Sequence, residues 1–185
     1  MKLLKRISVY LILVLMTGQQ LTAQSGKHFF VKKGTIEYRF SGDFTGKEIF
    51  CFDDFGLKEN HLKELISNQK QQKTKTLTII NNAEKTEKDL ITGKTLIFTN
   101  NNFDSNEFED EISKLLEAGN FSKTGTEIIA GQPCEKYMGD MGTLSVWKGI
   151  ILKSEITVAD KKIIKTAISV DTLAIIPENK FKIKE

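Results

Sequence analysis

Residues 34–41, GTIEYRFS, alternate: Ile36, Tyr38 and Phe40 point one way, and Thr35, Glu37 and Arg39 point the other. A period of two is the mark of a half-buried strand. A turn from Gly42-Asp43 through Gly46 leads into a second strand over 47–55 that ends at Gly56, so the two segments predict a hairpin. Over 57–73 the pattern predicts a helix or an irregular crossing, because Leu57, Leu62, Leu65 and Ile66 fit a helical stripe in a polar, Gln/Lys-rich stretch. Further on, 76–81 and 94–99 are β-rich and flank the turn Leu90-Ile91-Thr92-Gly93. Gly93 stands where a left-handed residue closes a bulged hairpin.

A helix is predicted around 105–118. Phe108, Ile112, Leu115 and Leu116 fall at i, i+4, i+7 and i+8, which makes one apolar stripe to bury against a sheet. Asp104 with Glu107 resembles a capping box, and Gly119 suits the position just past the helix end. From 124 onward, GTEIIAG, PCEKYM, TLSVWK, GIILKSEITV and KIIKTAISV are separated by short Gly or Asp-Lys turns. Short strands at regular spacing predict a mainly β fold, an antiparallel barrel or half-barrel.

The first residues predict export. Lys2, Lys5 and Arg6 precede the apolar run 7–16, and Leu21-Thr22-Ala23 suits signal peptidase, so 1–23 reads as a signal peptide and 24–185 as one domain. The run is about half the length a membrane-spanning helix needs, which disfavours an uncleaved anchor. No cysteine precedes Cys51, so the cleavage region offers no lipid acceptor. Removing 1–23 takes away three basic residues and no acidic ones. That leaves 24 Lys+Arg against 24 Asp+Glu, a balance that asks for no nucleic acid or anionic membrane. The expected molecule is a soluble monomer.

Catalytic chemistry is thin in the sequence. His28 and His61 are far apart, and neither has metal-ligand spacing to another His or Cys. Asp53-Asp54 reads as a strand-end turn, because adjacent strand residues face opposite ways. Arg39 reads as a solvated cross-strand partner. No nucleophile elbow or phosphate loop occurs, so neither an enzyme nor a cofactor is expected. Cys51 and Cys134 allow a disulfide that would stabilise by roughly 4–5 kcal/mol; the alternative is two buried thiols. Phe29, Phe30, Tyr38, Phe40, Phe50, Phe52 and Phe55 crowd the first strands. A curved sheet carrying them either packs solid or leaves an apolar hollow. If there is a hollow, Ile36, Tyr38, Phe40, Phe50, Phe52 and Trp147 are the candidate lining.

The segments 52–59, 76–98, 124–137, 146–156 and 167–183 together resemble the LolA-like superfamily of periplasmic outer-membrane lipoprotein-sorting proteins, as found in Bacteroidetes-type bacteria. The resemblance spans nearly all of 24–185 and rests on turns and strand ends. It implies a strongly curved antiparallel sheet, an incomplete barrel covered by one or two helices, in the periplasm. It further implies a non-enzymatic protein holding a lipid, a lipoprotein acyl chain or another apolar ligand. An envelope interaction or scaffold module with a solid core is the alternative. No ligand residue carries over from the family to a position here.

Overall fold

The computed structural model describes residues 27–99 and 111–183, with the side chain of Glu111 left out. The segment expected to be a signal peptide, the expected cleavage point, the expected Asp104/Glu107 cap and Phe108 all lie outside the described residues.

The chain opens with β1 (Gly34–Gly42), β2 (Phe44–Asp53), a 3-10 turn at Asp54–Gly56, β3 (Lys58–Ser67), β4 (Lys73–Asn81), β5 (Glu84–Asp89) and β6 (Thr95–Thr99). A helix α1 (Glu111–Ala118) precedes β7 (Ser122–Ile129), β8 (Gln132–Gly139), β9 (Gly142–Trp147), β10 (Ile150–Val158) and β11 (Lys161–Asp171). A second 3-10 turn, Glu178–Phe181, comes near the end. All eleven strands join one antiparallel sheet in the order β6-β5-β4-β3-β2-β1-β11-β10-β9-β8-β7. The sheet is therefore an up-and-down meander whose first and last strands pair. It is open between β6 and β7, the two strands that flank α1 in the chain.

The sheet curls strongly. Three strands separate β7 from β11, yet their Cα atoms come within 8 Å of each other. Ile129 of β7 and Cys134 of β8 share one core with Ile36 and Tyr38 of β1, Phe50 and Phe52 of β2, and Ala167 of β11. Bulges between Glu37 and Tyr38, and between Ile151 and Lys153, supply local bends. The mainly β, incomplete-barrel expectation holds.

Three local expectations are corrected. Residues 58–67 are a strand, not a helix, paired to β2 on one side and β4 on the other. Asn60, Leu62, Glu64 and Ile66 face one way, and Glu59, His61, Lys63 and Leu65 the other. The sparse apolar residues at 62, 65 and 66 imitate helical spacing by falling on both faces. The second correction concerns hairpins: β4 pairs with the polar strand β5, and the turn at 90–93 joins β5 to β6 instead of linking the two β-rich runs. Gly93 does take the left-handed conformation, with φ 77°.

The third correction is to α1, where Ile112, Leu115 and Leu116 are half-buried and not enclosed. Of the two readings of the cysteines, the structure has the thiols: Cys51 and Cys134 are both buried and free. Cys51 lies on the face of β2 opposite Phe50 and Phe52, where Thr35 donates to its Sγ over 3.6 Å, while Cys134 belongs to the core on the Phe50/Phe52 side. The sheet itself stands between them.

Candidate functional site

The six residues singled out by alternation are buried: Ile36 0%, Tyr38 2%, Phe40 7%, Phe50 4%, Phe52 0% and Trp147 6% exposed. All except Phe40 belong to one packed cluster. Phe29 enters the same cluster, edge-on to Phe50 and Phe52 at centroid distances of 5.9 and 5.1 Å. Fully burying such side chains is worth roughly 1.5–3 kcal/mol each. Phe29 is fixed by its own backbone, since its N–H donates to Phe55 O, and Phe30 N–H donates to Lys148 O.

Along one side of this cluster runs a row of ionisable groups that sequence reasoning missed. His61 sits between two carboxylates, with Nδ1 2.7 Å from Glu48 and Nε2 2.8 Å from Glu59. Glu48 also takes the Lys165 ammonium at 2.8 Å, and Glu59 lies 3.8 Å from His28. Strand parity assembles the row. Glu48 shares a face with Phe50 and Phe52, His61 is the register partner of Phe50, and Lys165 is the register partner of Phe40 through the β1–β11 pairing. The Lys165 ammonium rests 3.9 Å from the Tyr38 ring centroid. The Tyr38 hydroxyl donates to Ile151 O at 3.0 Å.

The two carboxylates are held in their charged form. Burial opposes ionisation of Glu48, but the His61 hydrogen bond and Lys165 outweigh it, and its pKa falls to about 2. Glu59 is lowered in the same way, with burial opposed by hydrogen bonds from His28 and His61. His61 is raised: burial disfavours its charge, and the flanking carboxylates more than restore it. A carboxylate with so low a pKa is a poor general base near neutrality. The row is suited to hold charge and to clamp β1, β2, β3 and β11 together.

The opposite face of β2–β5 carries open space. A hollow of about 310 Å³ has Ile49, Leu62, Leu77 and Leu90 in its wall, with Lys88 and Lys182 also lining it. A second, of about 420 Å³, lies against Ile79, Thr86, Ile97 and Phe181. Lys182 and Ile183 border both. The C-terminal segment thus crosses this face between the hollows. It is held there by Asn60 Nδ2, which donates to Lys180 O at 2.6 Å, by the Lys58–Glu178 pair at 2.9 Å, and by Phe181, 3% exposed. A third hollow, of about 360 Å³, is bordered by Tyr38, Arg39, Glu64 and Ile168.

No family model and no curated protein matches this sequence. Among solved structures, the chain is similar to one described as the crystal structure of MucB in complex with MucA(peri). The identity is 11% and the TM-score 0.44, over 77% of this chain and 51% of that one. The complex structure of Pseudomonas aeruginosa MucA/MucB is matched at 11% identity and a TM-score of 0.47, over 82% and 56% of the two chains. This chain spans about half the length of the chains it matches. Likenesses of this degree decide neither family nor function.

Site chemistry therefore rests on this chain's own residues. Among the described residues, no group of three or more His, Cys, Asp or Glu is arranged to hold a metal ion. No helix among them is long and apolar enough to cross a membrane. Asp53 and Asp54 do form a strand-end turn, in which the Asp53 carboxylate accepts from Asp54 N–H at 2.7 Å. The signal for the ionic row was present in the parity of Glu48, an acid on the apolar face of its strand. The hollows had no comparable sequence signal, because they depend on where the C-terminal segment comes to lie.

Proposed function

We propose that this chain is an exported, non-enzymatic binding protein of the periplasm, of the LolA-like kind, that holds a lipid, a lipoprotein acyl chain or another apolar ligand. The observation that carries this reading is the open, Leu/Ile-walled hollow on the face of β2–β5 opposite the packed aromatic core. A sheet that buries its aromatics on one face and keeps an aliphatic hollow on the other has room for an apolar guest without unpacking its core. Specific ligand sites are commonly apolar concavities of about 300–1,000 Å³ with a few polar groups, and the hollow falls in that class. The non-enzymatic part of the reading is supported by the ionic row, whose carboxylates are committed to His61, His28 and Lys165.

The test is native mass spectrometry of protein purified from its own host, followed by lipid extraction. A co-purifying amphiphile at a fixed stoichiometry is the expected result. Protein that carries no lipid and takes up none from a C16 fatty-acid probe would turn the reading toward an envelope interaction module. One feature favours that second reading. The last strand of the sheet, β6, exposes all five of its residues, with Ile97 65% and Phe98 51% accessible.

A further inference from the structure

The geometry points to the ligand's head group and to a gate: the hollow beneath the C-terminal segment takes a single acyl chain that ends in an anionic head, and Phe181 occupies part of the path that the chain would follow. This inference rests on the binding reading above and adds the ligand's charge and the means of its admission.

Charge argues for the anion. Lys88, Lys180 and Lys182 all border the first hollow, and its wall contains no carboxylate. Among the described residues, none of these three lysines is paired with a carboxylate. Elsewhere on the sheet several lysines do meet carboxylates, as Lys73 does Glu64, Lys162 Glu155 and Lys165 Glu48. Three unneutralised ammonium groups around an aliphatic floor suit a carboxylate or phosphate head whose tail lies on Leu62 and Leu77. The second hollow differs, because Glu84 lines it. The head therefore belongs at the Lys88 end, and the tail runs toward Ile79 and Ile97.

Phe181 stands in that path. It is an aromatic side chain buried at 3% exposure in an otherwise charged tail, it lines the second hollow, and its neighbours Lys180 and Lys182 line the first. Apart from the buried Phe181 ring itself, the segment that carries it is tied to the sheet by an amide hydrogen bond from Asn60 and an exposed ion pair, Lys58–Glu178. An exposed pair adds little hold. Lifting the segment joins the two hollows into one groove, so an acyl chain and the Phe181 ring compete for the same apolar surface.

The experiment titrates the mature protein with a C16 fatty-acid anion and with the C16 alcohol of equal length, at low salt. The parent is expected to prefer the anion by about tenfold. The double variant Lys88→Glu, Lys182→Glu should lose that preference and still bind the alcohol. Both positions are at least partly exposed, so the fold should survive the change. Phe181→Ala should tighten both probes if the ring competes, with a melting curve recorded to show that the variant is folded. An undiminished anion preference in the lysine variant overturns the head-group assignment. Weaker binding of both probes by folded Phe181→Ala overturns the gate, because the ring would then be part of the site. Failure of the parent and of Phe181→Ala to bind either probe sinks the binding reading itself, a result distinct from the other two.

Discussion

The imidazole of His61 stacks on the ring of Phe50 across the β2–β3 pair, with centroids 4.3 Å apart and planes within 15°. The same imidazole bridges Glu48 and Glu59, so one side chain joins the aromatic core to the ionic row.

The row should give stability a bell-shaped dependence on pH. The Glu48 pKa is lowered from 4.5 to about 2, so its contribution is complete above 4.5 and is lost as pH falls toward 2. The His61 pKa is raised above 6.5, so its contribution is complete below 6.5 and is lost as pH rises through the folded-state value. Urea unfolding measured across pH should peak between those limits. His61→Ala should flatten the alkaline limb and cost about 2–4 kcal/mol near the peak; breaking a fully buried pair costs more, and His61 is a quarter exposed. An alkaline limb unchanged in the variant would mean that His61 is neutral in the folded protein.

Ile36→Trp probes how tightly the core is filled. Ile36 is fully buried among Tyr38, Phe50 and Phe52. Forcing an indole there should cost about 1–3 kcal/mol. For a chain of this length that corresponds to roughly 2–12 °C of melting temperature. A melting temperature equal to the parent's would show unfilled space beside Ile36.

The thiols offer a simple check on the cysteines. Cys51 is 6% and Cys134 1% exposed, and burial pushes the Cys134 thiol up. Both should resist alkylation in the native protein and both should label in denaturant without a reductant. Protein from an oxidising compartment that labels only after reduction would contain the bond that the sheet keeps apart here.

Gly46→Ala should be severe. Gly46 has φ 151°, and a Cβ built there would lie 2.0 Å from the backbone oxygen of Glu64 on β3. The β2–β3 ladder would have to part, at an expected cost of about 3 kcal/mol or more. Equilibrium unfolding near the parent's midpoint would contradict the close approach of the two strands.

Much of the architecture was legible because Ile36, Tyr38 and Phe40 carry their burial in their alternation, and because the later strands, from 122 to 171, are short β-rich runs separated by tight turns. β5 was not legible. EKTEKD has no apolar side chain to declare a face, and it becomes a strand because β4 presents an edge and Asn82, at φ 53°, turns the chain back. β3 was misread because Leu62 and Ile66 on one face and Leu65 on the other give a count that fits two periods. Of the ionic row, Glu48 was readable from its parity with Phe50. Lys165 was not, since its arrival depends on β11 pairing with β1 from the far end of the chain. Phe181 in a charged tail gives no local hint that it covers β3 and β4.

The sheet order has a consequence for how the chain folds. Nine of the ten neighbouring strand pairs join segments that follow one another in sequence, and β1–β11 alone joins the two ends. The local hairpins form on short loops, whereas the β1–β11 register, Thr35 opposite Asp171 to Gly42 opposite Ile163, must wait for the ends of the domain to meet. Two meanders, β1–β6 and β7–β11, are thus kinetically separate until that ladder zips. The Lys165–Glu48 contact and the shared core close in the same step. A lesion in β1 or β11 should slow folding out of proportion to its size, and it would leave two half-sheets, each with a raw edge, in place of one cooperative unit.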